Sequence, residues 1–270
     1  MVAGLVVVAG VGAGAGLALK SSGAAKSRLQ AADRRTVSPE ARPAETHAGS
    51  ALRGSTIAID PGHNGGNFSH PREINRLVDA GTLKKACDTT GTVTTAGYTE
   101  AAFTFDVALR LRRILRSRGA RVVLTRRTNV GFGPCITERA AIGNRAKADA
   151  ALSIHADGGP SSGRGFHVIY PPSIPRLTDD IAGRSRRLAL DVRTAYRAGT
   201  GVPYATYVGR HGLNVRSDLG GLNLSNVPKV FVEAGNMRNA TDAALLADPG
   251  FRERSARALA AGLQTFLGRR

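Results

Sequence analysis

The sequence predicts a single α/β domain with a mixed, mostly parallel sheet of about six strands and helices on both faces. Short runs rich in β-branched residues alternate with amphipathic segments of helical period, as in βαβ units. A strand, loop, helix and second strand follow one another between residues 56 and 125, which indicates a parallel pair joined by a right-handed crossover. Residues 54–270 are numerous enough to bury one core.

The first 53 residues differ in composition from this body. Residues 2–19 form an unbroken run of Val, Ala, Gly and Leu, so residues 1–19 are predicted to be a signal peptide or an N-terminal anchor. Residues 20–53 are rich in Ser, Ala, Gly, Pro and charge without periodicity, which predicts a flexible linker. We therefore expect an exported protein of the periplasm or cell wall whose folded domain is 54–270.

The chain is strongly basic, with a formal net charge of +18. A basic surface favours a polyanionic partner, such as nucleic acid, anionic lipid or an acidic wall polymer, although the charges can also be dispersed without a partner. No cluster of Arg and Lys is interleaved with aromatic residues, and the apparent export signal argues further against nucleic acid.

The chain contains two cysteines, Cys87 and Cys135. In an exported protein an isolated pair is most simply one disulfide, although two unrelated thiols are the alternative. A disulfide here would contribute about 4 kcal/mol in the chain-entropy model. A zinc site built on cysteines is disfavoured because no further cysteine is present.

The first strand is predicted at Thr56–Ile59, where β-branched residues alternate. Residues 60–62 (Asp-Pro-Gly) break it, because proline removes a hydrogen-bond donor and glycine permits positive φ. His63 is the first residue presented after the break, at the edge where sheet enzymes tend to bind ligands. A single histidine on such a loop more often has no catalytic or binding role.

The next two segments are an irregular stretch and a helix. Residues 67–97 are polar and aperiodic, and we expect a long excursion, tethered by the disulfide, that either covers the site or flanks it. A helix is predicted at Tyr98–Arg118, with Thr99 as N-cap and Glu100 in the first turn, where a carboxylate suits the helix dipole. Its apolar stripe consists of Phe103, Val107, Leu111, Ile114 and Leu115.

Further elements complete the sheet and its cover, and residues 199–227 are predicted to be loop-rich. The predicted strands and helices are Arg121–Thr125 (strand), Thr137–Lys147 (helix), Ala150–Ile154 (strand), Phe166–Tyr170 (strand), Thr178–Arg197 (helix), Val230–Glu233 (strand) and a last helix that begins at Asp248-Pro249. His155 follows its strand directly, as His63 does, and Glu233 closes another strand.

Three predicted strands thus end in His63, His155 and Glu233, and a helix start supplies Glu100. Two histidines and one carboxylate are a catalytic zinc set that leaves one position for water. A second, unligated carboxylate is what metal-assisted hydrolysis requires as proton acceptor and donor. The residues alone leave open whether Glu73, which is closer to His63 in sequence, replaces Glu100 as the third ligand.

With these segments in view, the chain resembles the zinc-dependent N-acetylmuramoyl-L-alanine amidases of the family-3 type, and most closely the small mycobacterial-type enzymes. The matching segments are IAIDPGHNGG, GYTEAAFTFDVALRLRRILRSRGARVVLTR, ADAALSIHAD, VPKVFVEAGNMRN and the DPGF helix, which together span 55–270. The resemblance implies one zinc ion bound by His63, Glu100 and His155, with Glu233 as the catalytic carboxylate. It also favours Glu100 over Glu73.

The implied activity is zinc-dependent hydrolysis of the amide bond between N-acetylmuramic acid and L-alanine in peptidoglycan, for wall remodelling, septum cleavage or turnover. Asp60, Asp157 or Asn64 would orient the ligand histidines. Partners would be peptidoglycan or muropeptides and an anionic wall polymer, with no nucleic acid, and we expect a monomer. The alternatives are a zinc peptidase acting on stem peptides and a non-catalytic protein that binds wall polymer.

Overall fold

A six-stranded sheet organises the computed structural model, which describes residues 51–269. The strands of the chain are β1 (Thr56–Pro61), β2 (Leu77–Asp79), β3 (Lys84–Ala86), β4 (Arg121–Leu124), β5 (Ala150–Asp157), β6 (His167–Tyr170), β7 (Leu213–Val215) and β8 (Lys229–Asn236). The helices are α1 (Pro71–Ile74), α2 (Glu100–Ser117), α3 (Ile136–Arg145), α4 (Ala182–Thr200), α5 (Gly220–Asn223), α6 (Ala240–Ala247) and α7 (Pro249–Leu267).

The strand order in the sheet is β4-β1-β5-β8-β6-β7. Strands β4, β1, β5 and β8 are parallel, β6 runs antiparallel to β8, and β7 is parallel to β6. The mixed, mostly parallel sheet is therefore confirmed. Because β1, β5 and β8 are central and parallel, their carboxyl ends meet at one edge, and this edge carries the candidate site.

Helices cover both faces of the sheet, as predicted. The larger core lies under α2, α4 and α7 and includes Ile57 and Ile59, which alternate with Ala58 along β1. Ala58 belongs to a small second cluster on the opposite face. There α3 approaches closely, since a Cβ on Gly143 would lie 3.6 Å from that of Ala58.

Helix α2 follows from its sequence almost residue by residue. The Thr99 Oγ1 accepts a hydrogen bond from the backbone N–H of Ala102 at 3.3 Å and caps the helix. The apolar stripe is fully buried, and Gly119 follows the helix with a φ of +92°. This helix fixes the position of Glu100, which is its first residue.

Several boundaries differ from the predictions. Strands β5 and β8 extend past Ile154 and Glu233 because they pair with each other through residues 155–157 and 233–236. The 67–97 excursion is not irregular throughout, since it contains α1 and the antiparallel hairpin β2–β3. Within residues 199–227, β7 and α5 form, but each is only three or four residues long and carries no readable period.

Cys87 and Cys135 form a disulfide, which is the pairing that the sequence favoured. The bond joins the segment after the β2–β3 hairpin to the N-cap residue of α3. None of the helices in residues 51–269 combines the length and apolar character that crossing a bilayer requires. The predicted leader at 1–19 and residues 20–50 of the predicted linker lie outside the described residues, whereas Leu52 is buried in the core.

Candidate metal centre and catalytic site

His63 and His155 approach each other at the carboxyl edge of the sheet. His63 follows the Pro61-Gly62 break with a φ of +58°, in the left-handed region that few L-residues adopt. Gly62 is required at this place because a Cβ there would collide with the His155 ring. The two imidazole rings lie perpendicular, with their centroids 5.0 Å apart.

Glu100 joins the two histidines from the start of α2. Its Oε1 lies 3.2 Å from His63 Nε2 and 3.0 Å from His155 Nδ1. The backbone N–H of Ala156 donates to the same oxygen at 3.1 Å, and the N–H of Thr92 donates to Oε2 at 2.8 Å. The carboxylate is buried and held at both oxygens, so its direction toward the histidines is fixed.

The three side chains form a site suited to a cation. They are the one group of three or more His, Cys, Asp or Glu residues within 51–269 whose donor atoms converge, all within 4.8 Å of one another. Two imidazole nitrogens and a carboxylate oxygen are the donor set of catalytic zinc sites. Glu73, the competing third ligand, is exposed on α1 and takes no part in the group.

The electrostatics of the site point the same way. Burial by itself would lower the pKa of His63, but the carboxylates of Glu100 and Asp88 outweigh it and raise the pKa to about 10. Burial by itself would raise the pKa of Glu100, but His63 and His155 hold it well below its usual range. The carboxylates therefore favour a positive charge at this site. A bound cation would supply that charge in place of the protons on the histidines.

Asp88 and Thr89 set the orientation of the His63 ring. The Nδ1 of His63 lies 3.2 Å from Asp88 Oδ1 and 3.1 Å from the Thr89 carbonyl oxygen, which leaves Nε2 directed at Glu100. Arg139 holds this arrangement, since its Nη2 donates to Asp88 Oδ2 at 3.0 Å and to the His63 carbonyl at 2.9 Å. The sequence analysis did not identify Asp88 or Arg139. The sequence feature that points to them is the nearby cysteine pair, Cys87 and Cys135.

The three residues expected to orient the histidines make other contacts. Asp60 binds Arg139 Nη1 at 3.0 Å and the ammonium of a buried lysine at 3.1 Å. Asp157 accepts a hydrogen bond from a tyrosine hydroxyl at 3.0 Å, and the Asn64 amide donates to a backbone carbonyl at 2.8 Å. None of these side chains has a hydrogen bond to His63 or His155 in the described structure, so that expectation was wrong.

Glu233 lies on β8 beside the candidate metal site, in register with His155 on β5. It is half-buried, and its Oε2 has no hydrogen-bond partner among the described residues. Burial, with the charges of Glu100 and Asp157, raises the pKa of Glu233 well above its usual value. Next to a site that can hold a cation, such a carboxyl can take up a proton and pass it on.

An open groove gives access to these groups. Phe231 stacks on the His155 ring with centroids 5.0 Å apart and forms part of the groove wall. The groove lining consists of His63, Thr89, Thr90, Gly91, Thr92, Glu100, His155, Arg216, Leu219, Phe231 and Glu233. It continues into a mostly apolar cavity of about 170 Å³ beside the β2–β3 hairpin. The site can therefore admit an extended substrate.

Comparison with models of protein families identifies the family of this chain. The family model described as N-acetylmuramoyl-L-alanine amidase matches residues 57–265, which include all four candidate residues. The chain is a member of this amidase family. Membership confirms the predicted fold and enzyme class.

Individual amidases are similar to this chain in sequence and in structure. The N-acetylmuramoyl-L-alanine amidase Rv3717 of Mycobacterium tuberculosis is 44% identical over 217 residues, which are 80% of this chain and 88% of that protein. The crystal structure of the amidase Ami1 from Mycobacterium smegmatis matches with a TM-score of 0.76 and 44% identity, over 81% of this chain and 99% of that one. Apo Ami1 from Mycobacterium abscessus matches with a TM-score of 0.75 and 43% identity, over 80% and 100%.

Proposed function

We propose that residues 54–270 are a zinc-dependent catalytic domain that hydrolyses the amide bond between N-acetylmuramic acid and L-alanine in peptidoglycan. The observation that carries this proposal is the convergence of His63, Glu100 and His155 beside the Glu233 carboxyl. The family to which the chain belongs supports the choice of the scissile bond.

His63, Glu100 and His155 are the residues that would hold the metal. A zinc ion bound there supplies Lewis-acid polarisation of water and of the substrate carbonyl. Asp88 and Thr89 keep Nε2 of His63 free for this task by engaging Nδ1. The Thr92 and Ala156 N–H groups fix the Glu100 carboxylate.

Glu233 carries the proton in this mechanism. Positive charge at the neighbouring site favours the carboxylate form of Glu233, which then accepts a proton from the attacking water. The new carbon–oxygen bond forms at the lactyl carbonyl, and the carbon–nitrogen bond to L-alanine breaks. Glu233 returns its proton to the departing alanine nitrogen, so the products are a free stem peptide and an unsubstituted glycan.

We also propose that the protein is exported, acts in the cell wall and works as a monomer. Cell-wall amidases among its relatives support the location. The net charge of +18 supports a second contact, with an anionic wall polymer. Exposed arginines on α2, among them Arg113 and Arg116, offer a surface for it.

The proposal is tested by digesting a purified disaccharide–peptide muropeptide with the protein and locating the cut bond by mass spectrometry. We expect a peptide-free disaccharide and an intact stem peptide, loss of both products with a chelator, and recovery with added zinc. Cleavage between two amino acids would instead indicate a zinc peptidase. Wall binding without cleavage would indicate a non-catalytic binding protein.

A further inference from the structure

Arg216 is the one arginine or lysine among the described residues that line the groove at the candidate metal site. It follows β7, and its backbone N–H donates to the Tyr170 carbonyl at 3.2 Å, which ties the loop to the neighbouring strand. The side chain is 38% exposed, so the guanidinium is accessible from the groove. No step of the amidase mechanism above uses it.

The guanidinium is held by a neighbouring carboxylate along one edge. Arg216 Nε donates to Asp218 Oδ1 at 2.9 Å and Nη2 donates to Oδ2 at 2.6 Å. Lys85 on β3 binds the same carboxylate at 3.2 Å, which holds Asp218 in place. Within the described chain, Nη1 of Arg216 has no hydrogen-bond partner, so a preorganised donor edge remains for a ligand.

The charges around Arg216 keep it a cation. The hydrogen bonds to Asp218, with the charges of Glu233 and Asp157, raise the pKa of the guanidinium. Lys85 offsets the charge of Asp218, so the cluster of Lys85, Arg216 and Asp218 has a net charge of about +1 at neutral pH. A fixed, charged donor fork of this kind matches the geometry of a carboxylate.

We propose that Arg216 binds a carboxylate of the stem peptide, namely the one nearest the scissile amide, on the second residue of the peptide. This inference rests on the proposed function, since it takes the substrate to be a muramoyl peptide. In that substrate the carboxylates lie on the peptide side, whereas the N-acetyl groups of the glycan are neutral. Arg216 is then a specificity residue that distinguishes a free carboxylate from a carboxamide at this position.

The test compares two muramoyl dipeptides that differ only in a carboxylate or a carboxamide on the second residue. We expect the wild-type protein to prefer the carboxylate, and Arg216→Gln to lose roughly 10- to 100-fold in kcat/KM on that substrate, mostly through KM. On the carboxamide the same variant should change little. Arg216→Lys should recover part of the preference, because it restores the charge without the fork.

Two further measurements make the outcome decisive. Arg210→Gln, six residues earlier and outside the groove lining, should keep the wild-type preference. An equal loss on both dipeptides in Arg216→Gln, or a loss in kcat alone, would overturn the proposed role. If the wild-type protein cleaved neither dipeptide, the proposed function would fall. Calorimetric binding of the two dipeptides to wild-type and Arg216→Gln protein would still decide the role of Arg216.

Discussion

His63 is engaged at both ring nitrogens, and this decides which one can bind a metal. Because Nδ1 faces Asp88 Oδ1 and the Thr89 carbonyl, Nε2, which faces Glu100, is the nitrogen available to a cation once the cation replaces its proton. Asp88 is itself nearly fully buried and is neutralised by Arg139. Gly91 allows its loop to pass close to the His63 ring, since a Cβ on Gly91 would lie 2.8 Å from His63 Cδ2.

Removal of the Asp88 carboxylate should weaken metal binding. In Asp88→Ala the His63 ring loses a partner that fixes its tautomer, so we expect zinc affinity to fall about 10- to 100-fold, measured by competition with a chromophoric chelator. Asp88→Asn should recover part of the loss, because its amide oxygen still accepts a hydrogen bond. Asp180→Asn, an exposed change away from the site, serves as control. Unchanged affinity in Asp88→Ala would contradict this account of His63.

Among the elements of the fold, the disulfide joins two segments that support the candidate metal site. Cys87 precedes Asp88, and Cys135 precedes α3, which carries Arg139. The Cys87 carbonyl also accepts a hydrogen bond from the N–H of Ile136 at 2.8 Å. The link therefore holds the positioning groups of His63 as well as closing a loop of the chain.

Removal of the disulfide should cost stability. We expect the double variant Cys87→Ala/Cys135→Ala to lose about 4 kcal/mol in the free energy of unfolding, measured with urea, because its unfolded chain gains loop entropy. Reductant should shift the wild-type curve in the same direction and leave the double variant unchanged. Equal stability of both proteins, with and without reductant, would contradict the prediction.

The elements that sequence analysis recovered are those whose pattern is local. Helix α2 shows its cap, its stripe and its terminating glycine in consecutive residues. The β2–β3 hairpin does not, because its strands are three residues long and none of their residues is buried. The extra residues of β5 and β8 also escaped prediction, since they are strand only through pairing with each other.

At the scale of the whole molecule, a buried charge cluster joins distant parts of the chain beneath the site. Asp60 at the end of β1 binds Arg139 of α3 and Lys229 of β8, and all three side chains are at most 4% exposed. The Asp60 carboxylate also accepts hydrogen bonds from the hydroxyls of Thr125 at 2.7 Å and Ser153 at 3.0 Å. Each polar group in the cluster is thus paired, as burial requires.

This cluster predicts a pH dependence of stability. Burial by itself would raise the pKa of Asp60, but Lys229 and Arg139 hold it well below the usual range. A carboxyl with a lowered pKa in the folded state stabilises above its unfolded pKa of about 4 and loses that contribution as the pH falls further. The acid side of the stability curve should therefore depend on Asp60.

Asp60→Asn tests this directly. We expect it to cost about 3–5 kcal/mol near pH 7, because Lys229 loses its anionic partner and Arg139 keeps only Asp88. Urea unfolding between pH 5 and 2.5 should show a smaller decline of stability with acid than in wild type, by up to about 1.4 kcal/mol per pH unit. Asp180→Asn should follow the wild-type curve. An unchanged acid decline in Asp60→Asn would place the titrating groups elsewhere.

The candidate site was predictable to the extent that it sits at the ends of regular elements. His63 follows β1, and Glu100 opens α2. His155 and Glu233 lie near the carboxyl ends of β5 and β8, and the parallel topology brings these groups to one edge. Asp88 and Arg216 lie in segments without periodicity, and their positions depend on contacts between residues far apart in sequence. For these residues, the spacing along the chain does not indicate which side chains they contact in the folded protein.

In the proposed mechanism Glu233 moves the proton while His63, Glu100 and His155 hold zinc. The most direct measurement determines metal content and muropeptide turnover together in wild type, Glu233→Gln and His63→Ala. We predict one zinc per chain and a loss of about 10²- to 10⁴-fold in kcat for Glu233→Gln, with both metal and turnover lost in His63→Ala. Wild-type turnover in Glu233→Gln with zinc still bound would contradict the account.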